Sequence, residues 1–123
     1  MSEHMEQVRF VAWFKKNFNK EHKIISIPNG GYRGDKKSAA ITGARLKAEG
    51  LLKGVHDLHI PSLKLWIEMK ENHTKKVTKE QKEWGDYVES IGHTWFVGYG
   101  EIDAKEKTLA YLKEHYNIVL EEE

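Results

Sequence analysis

Asp57, Glu68 and Lys70 are the residues whose types and spacing could carry a reaction. They lie in the stretch from Gly54 to Lys70, which reads as a β-hairpin. A run rich in Leu, Ile and His leads to Pro61-Ser62, and a second run alternates Leu65, Ile67 and Met69 with Trp66, Glu68 and Lys70. A turn centred on Ser62-Leu63 sets the register. Ile60 then faces Leu65, Leu58 faces Ile67, and Asp57 lies opposite Glu68. Side chains alternate between the faces of a strand, so Leu58, Ile60, Leu65, Ile67 and Met69 share an apolar face. Asp57, Glu68 and Lys70 share the other. Two opposed carboxylates repel unless something cationic lies between them. A divalent metal with an ammonium beside it resolves that conflict.

The competing interpretation is a ladder of ion pairs on a solvated sheet face, the commoner fate of a Glu-x-Lys pair. Two features weigh against it. Asp57 gains little in a strand without a partner. The helix that follows the hairpin turns a polar residue, Gln81, inward, so this face is covered, and covered carboxylates need metal, hydrogen bonds or cations. Phosphodiester hydrolysis suits the set. Hard oxygens bind Mg²⁺ and leave positions open for water and phosphate, and Lys70 could orient or deprotonate the water or neutralise developing charge.

The elements that must position these residues follow from the pattern on either side. The first helix is expected over Glu3 to Phe18, with Ser2 as its N-cap. Phe10, Val11, Phe14 and Phe18 form its apolar stripe, and Glu3 and Gln7 extend that stripe backwards, toward the protein. Glu6 falls about 60° off the line. Ile24 to Ile27 is a short strand stopped by Pro28. Asn29 to Lys37 is a glycine-rich loop carrying Arg33, Lys36 and Lys37, suited to phosphate contact or simply to mobility. A helix from Ser38 to about Glu49 follows, although Gly43 costs it about 1 kcal/mol.

Beyond the hairpin and a polar loop, Thr78-Lys79-Glu80-Gln81 is a capping box opening a helix that ends at Gly92. Its inward stripe is Gln81, Trp84, Val88 and Ile91. Closing the cap and sitting beside a catalytic centre are not both expected to be fully served by the one Gln81 side chain. Thr94 to Val97 is a strand expected to be buried on both faces, ending in the loop Gly98-Tyr99-Gly100. The last helix covers roughly Asp103 to His115, and Asn117 to Leu120 is a candidate edge strand. An antiparallel hairpin followed by a crossover to a parallel strand describes an α/β fold with a mixed sheet flanked by helices.

Composition narrows the function classes. With 123 residues the chain is one domain with a real core, and 39% hydrophobic content with four Trp favours a globular fold over disorder. There is no Cys, which removes disulfides, thiolate zinc sites and cysteine nucleophiles. No apolar run approaches membrane-spanning length and the N-terminus lacks an apolar targeting segment, so a cytoplasmic protein is expected. Net charge is only +1, but bases gather between Lys15 and Lys53 and again at Lys75, Lys76, Lys79 and Lys82, while acid gathers at the C-terminus. One surface facing a polyanion is an expected use of that asymmetry; ordinary solvated lysines are the other. His56 and His59 form H-D-x-H, but zinc and HD-type chemistry needs further His and Asp ligands on helices, whereas these flank a strand.

Asp57, ten intervening residues, and then Glu68-Met69-Lys70 resembles the PD-(D/E)xK nuclease signature. Gly54-Val55-His56-Asp57-Leu58, Trp66-Ile67-Glu68-Met69-Lys70, Gln81-x-x-Trp84 and Gly92 together resemble its VRR-NUC branch, the virus-type replication-repair nucleases of the stand-alone phage and bacterial type. Ser2-Glu3-His4 with Gln7, Ile27 to Gly31 and Ala44 to Leu51 are similar as well, so the resemblance spans roughly Ser2 to Tyr99. It implies a restriction-endonuclease-like core in which Asp57, Glu68 and the Met69 carbonyl bind Mg²⁺ or Mn²⁺. Lys70 would be the catalytic lysine and Gln81 would sit beside the site. An N-terminal helix glutamate would complete the metal shell; Glu3 is assigned that role from its stripe position, with Glu6 as runner-up.

The resemblance further implies DNA as substrate, branched DNA and Holliday junctions in particular, cut by a homodimer in a bacterial or phage-infected cell. Arg33, Lys36, Lys37, Arg45, Lys75 and Lys76 are the candidate DNA contacts. A duplex or restriction-type nuclease and a non-catalytic DNA-binding module of the same fold are the alternatives. One position departs from the family: where it carries Pro before the Asp, this chain has His56. That leaves open the local loop geometry and any contact of His56 with metal or phosphate.

Overall fold

The structure, a computed structural model, describes residues 2–28 and 43–120. In chain order the elements are α1 (Glu3–Phe18), β1 (Ile25–Ser26), β2 (Leu58–Ile60), a 3₁₀ turn (Pro61–Leu63), β3 (Leu65–Lys70), α2 (Lys79–Ser90), β4 (Thr94–Tyr99) and α3 (Gly100–Tyr116). Residues 43–48 are also helical. The expected mixed sheet is present, in the order β1-β2-β3-β4. β1 and β3 run antiparallel to β2, and β4 runs parallel to β3 across the α2 crossover.

The hairpin register is the expected one, with Leu58 opposite Ile67 and Ile60 opposite Leu65. The turn closes because Pro61 opens the 3₁₀ segment and Lys64 adopts a left-handed conformation at φ 51°. The Leu63 carbonyl at this corner accepts from the hydroxyls of Tyr111 at 2.6 Å and Tyr116 at 2.9 Å, which ties the turn to α3. Burial pushes the Tyr111 hydroxyl up to about 12, so it remains a donor across the ordinary pH range.

Leu58, Ile60, Leu65, Ile67 and Met69 are fully buried on one sheet face, against Phe10 and Phe14 of α1 and Ala104 and Leu112 of α3. Each large aliphatic side chain so buried contributes roughly 1.5–3 kcal/mol, an upper figure because unfolded chains bury some apolar surface. The opposite face is covered by α2, where Trp84 meets Trp66 edge-on with ring centroids 5.2 Å apart. Helices thus lie on both sides of the sheet, and Glu68 faces the α2 side.

Several expectations shift. β1 has two paired residues rather than four, and β4 is a partly exposed edge strand because no strand pairs beyond it among the described residues. The supposed Gly98-Tyr99-Gly100 loop does not exist: β4 continues to Tyr99 and α3 starts at Gly100, where a φ of +88° suits glycine. Residues 117–120 form no strand. Ile91 is half exposed, and the inward stripe of α2 is instead Gln81, Trp84, Gly85 and Val88. Gly85 is there for contact: a Cβ would stand 2.2 Å from the Trp95 ring. Among the described residues no helix is long and apolar enough to cross a membrane.

Candidate active site

Strict alternation would send His56 and Asp57 to opposite faces, but the chain bends at Asp57, one residue before β2 begins. The bend takes Asp57 out of the ladder with β3, while its carbonyl still accepts the Ile27 N–H at 2.8 Å. Instead of pairing through its backbone with Glu68, it uses Oδ2 to accept the Met69 N–H at 2.8 Å. The N–H and C=O of one strand residue point to the same side, so the Met69 carbonyl faces the Asp57 side, past the end of β2. The Asp57 side chain, standing in for a ladder bond, thus lies near enough to Glu68 for its charge to act there, and on the side to which the Met69 carbonyl points.

Glu68 is 1% exposed. Its Oε2 accepts from Gln81 Nε2 at 2.9 Å and lies 3.5 Å from Lys70 Nζ. Its Oε1 is buried and has no hydrogen-bond partner among the described residues. Burial first, and the Asp57 charge second, push the Glu68 carboxyl up to about 8, against the opposing pull of Lys70. A carboxylate this deep with one oxygen unsatisfied is expensive unless protonated or met by a cation.

Gln81 corrects the expectation that its one side chain could not serve both the cap and the carboxylate. Thr78 Oγ1 accepts the Gln81 backbone N–H at 3.1 Å, and Gln81 Oε1 accepts the Thr78 N–H at 2.9 Å, which completes the capping box. That leaves Nε2 free to donate to Glu68. One amide serves both ends, because its acceptor faces the helix cap and its donor faces the carboxylate.

Glu3 and Glu6 face different surroundings. Glu6 Oε2 accepts the Glu101 N–H at 3.1 Å, at the start of α3. Glu3 is exposed, yet partial burial and then the Asp57 charge push its carboxyl above the ordinary range, with Lys70 and Lys75 pulling the other way. Glu3 therefore stands on the same side of the molecule as Asp57, Lys70 and Lys75. It is not drawn into a closed shell: among the described residues no three His, Cys, Asp or Glu side chains are grouped to hold a metal ion. The donors gathered are the Asp57 and Glu68 carboxylates. Their chemistry, hard oxygens including an orphaned buried Oε1, fits Mg²⁺ or Mn²⁺.

Lys75 and Lys76 are exposed on the loop after β3, and Arg45 is exposed on the helical residues 43–48. Arg33, Lys36 and Lys37 lie outside the described residues. His56 does not face solvent. It is fully buried, its ring packs on Trp95 with centroids 4.7 Å apart, and its Nε2 lies 2.8 Å from the Gln81 carbonyl oxygen. His59 stacks on Trp66 at 3.7 Å and bonds the Leu65 carbonyl through Nδ1, so H-D-x-H is no cluster of ligands. The sequence reading missed the seating of α2 by Gly54 and Gly85. A Cβ at Gly54 would stand 2.5 Å from the Glu80 carbonyl group. A mid-helix glycine on the inward stripe was the available signal for Gly85.

Neither the protein-family models nor the curated proteins compared with this sequence give a match. Among solved structures, one described as a VRR_NUC domain protein superimposes with a TM-score of 0.69, covering 92% of this chain and 89% of that one at 21% identity. The mixed sheet and the α2 crossover thus share the fold of a VRR_NUC domain protein.

Proposed function

We propose that the chain is a Mg²⁺- or Mn²⁺-dependent DNA endonuclease, selective for branched DNA such as a Holliday junction and active as a homodimer. The observation that carries the reading is Glu68: buried, one oxygen open, and set beside Asp57 and Lys70 on a VRR_NUC fold. Asp57, Glu68 and the Met69 carbonyl would hold the ion, with Glu3 as the further carboxylate. When bound, the ion supplies Lewis-acid activation of a water and neutralises charge on the phosphate. Lys70, next to Glu68 and mostly buried, orients the attacking water or offsets charge as it develops on the phosphate. Gln81 fixes the Glu68 carboxyl so that its other oxygen stays open.

Lys75, Lys76 and Arg45, together with Arg33, Lys36 and Lys37, contact backbone phosphates in this reading. Phosphate contacts carry no sequence information, and among the described residues no element reads as a groove-inserting helix, so the substrate is chosen by shape. Each active site cuts one strand, and a two-fold dimer provides two cuts related by symmetry. The test is cleavage of a four-way junction against its constituent linear duplex, with Mg²⁺ and Mn²⁺ tested separately. Preferential cutting of the junction is expected. Equal rates would remove the junction claim, and no cleavage with either metal would remove the nuclease claim.

A further inference from the structure

We propose that His56 is a positioning residue for the Glu68 carboxyl, acting through Gln81. It holds the first turn of α2 by the Gln81 carbonyl, so that the Gln81 side chain reaches Glu68 and leaves the other Glu68 oxygen open for a cation. The inference rests on the metal-site reading given under Proposed function and adds a residue that reading does not use.

The geometry is a short chain of contacts. A carbonyl only accepts, so the His56 nitrogen 2.8 Å from the Gln81 oxygen carries the proton. Nδ1 is then an acceptor, and it is buried with no partner among the described residues. An orphaned buried acceptor is costly, and an apolar residue or a proline at this position would avoid the cost. What histidine adds here is the Nε2–H bond. The ring delivering it has little freedom, being fully enclosed and packed on Trp95, which Gly85 admits beneath α2.

The carbonyl it binds belongs to the residue whose side chain donates to Glu68 Oε2 at 2.9 Å. Gln81 is thus held at three points: its backbone N–H and side-chain oxygen by Thr78, and its carbonyl by His56. The Thr78 bonds shape the helix end but do not attach it to the sheet. The His56 bond runs from the segment leading into Asp57 to the helix carrying Gln81, and so links the mountings of both carboxylates. Close packing of Gly54 on Glu80 seats the same turn one residue earlier. A shift of this turn would move Gln81 Nε2 away from Glu68, and outer-sphere partners of metal-binding carboxylates are worth about 10–100-fold in metal affinity.

The experiment is calorimetric titration of the whole, metal-free chain with Mn²⁺ in the absence of DNA, for the unaltered protein, His56→Phe, Gln81→Ala and the double variant. Thermal unfolding verifies that each is folded. Phe keeps a ring against Trp95 and removes the N–H. His56→Phe is expected to weaken Mn²⁺ binding about tenfold, the lower end for such partners. Gln81→Ala should weaken it at least as much, and the double variant should bind like Gln81→Ala alone. Unchanged binding by folded His56→Phe, or losses that multiply in the double variant, would overturn the inference while leaving the metal site standing. No Mn²⁺ binding by the unaltered protein would overturn both. Should His56→Phe not fold, His56→Gln replaces it, since its amide N–H can reach the same carbonyl. Near-normal binding is then expected, and a tenfold loss in the folded His56→Gln protein would overturn the inference.

Discussion

Gln81 Nε2 donates to Glu68 Oε2 at 2.9 Å while the other end of the same amide accepts the Thr78 N–H, so a helix cap and a buried carboxylate are secured by one side chain. The two bonds also fix which end of the amide is nitrogen, since only oxygen can accept from Thr78. A substitution that keeps the cap and spoils the second bond separates the two roles. Gln81→Glu does this, because a carboxylate still accepts from Thr78 but confronts Glu68 with a like charge. Cleavage is expected to fall about 10–100-fold with α2 still formed, as read by single-turnover rates and circular dichroism. Cleavage within twofold of the unaltered protein would leave Gln81 as a cap only.

Glu68 predicts a pH dependence whose sign is unusual for a carboxylate. Its ordinary value is 4.5 and its folded value about 8. Between them the folded, metal-free chain holds a proton that the unfolded chain has lost. The unfolded state then binds fewer protons, so stability falls as pH rises through this window. His56 acts oppositely but only at lower pH, since burial depresses it from 6.5. Between about pH 7 and 8 the Glu68 effect therefore stands alone of the two. Melting temperature of the metal-free protein should decline over that range, and Glu68→Gln should abolish the decline and be about 1–3 kcal/mol more stable at pH 8. Mn²⁺ affinity of the unaltered protein should rise over the same range, because binding displaces the proton. Thermal melts and titrations at half-unit pH steps check both.

Gly85 predicts a packing effect remote from any carboxylate. The 2.2 Å approach of a Cβ to the Trp95 ring leaves no room for alanine, although alanine favours helix. Gly85→Ala should destabilise by about 1–3 kcal/mol, the usual cost of overpacking, measured by denaturant unfolding. Stabilisation would mean that α2 lies further from β4 than described.

Much of this arrangement was legible in the chain. The α1 boundaries, Ser2 and Thr78 as caps, and the hairpin register follow from short-range rules: cap chemistry, alternation and helical period. What failed depended on tertiary context. Burial of β4 on both faces was inferred from its apolar run, which cannot reveal that no strand pairs beyond it. The Gly98-Tyr99-Gly100 loop was inferred from glycine content, but Gly98 serves close packing on Ala104 and only Gly100 needs a positive φ. At the site, spacing marked Asp57, Glu68 and Lys70 as candidates, and the structure sets Lys70 Nζ 3.5 Å from Glu68 Oε2. Spacing could not show that Asp57 bends out of the ladder, that one amide satisfies two partners, or that His56 turns inward to Gln81. Those are contacts between residues 12 to 25 positions apart; the two that reach Gln81 are set by how α2 seats on the sheet, and the Asp57–Met69 bond by the end of the hairpin.

Lys70 tests the central claim most directly. Its ammonium lies 3.5 Å from Glu68 Oε2, on the carboxyl group whose other oxygen is open. The measurement is single-turnover cleavage of a four-way junction with Mg²⁺ or Mn²⁺ by Lys70→Ala, paired with DNA binding by the same protein. Cleavage should fall by at least about a hundredfold, within the range for loss of a general acid–base group, while junction affinity stays within a few-fold of normal. Cleavage at the unaltered rate would contradict the account.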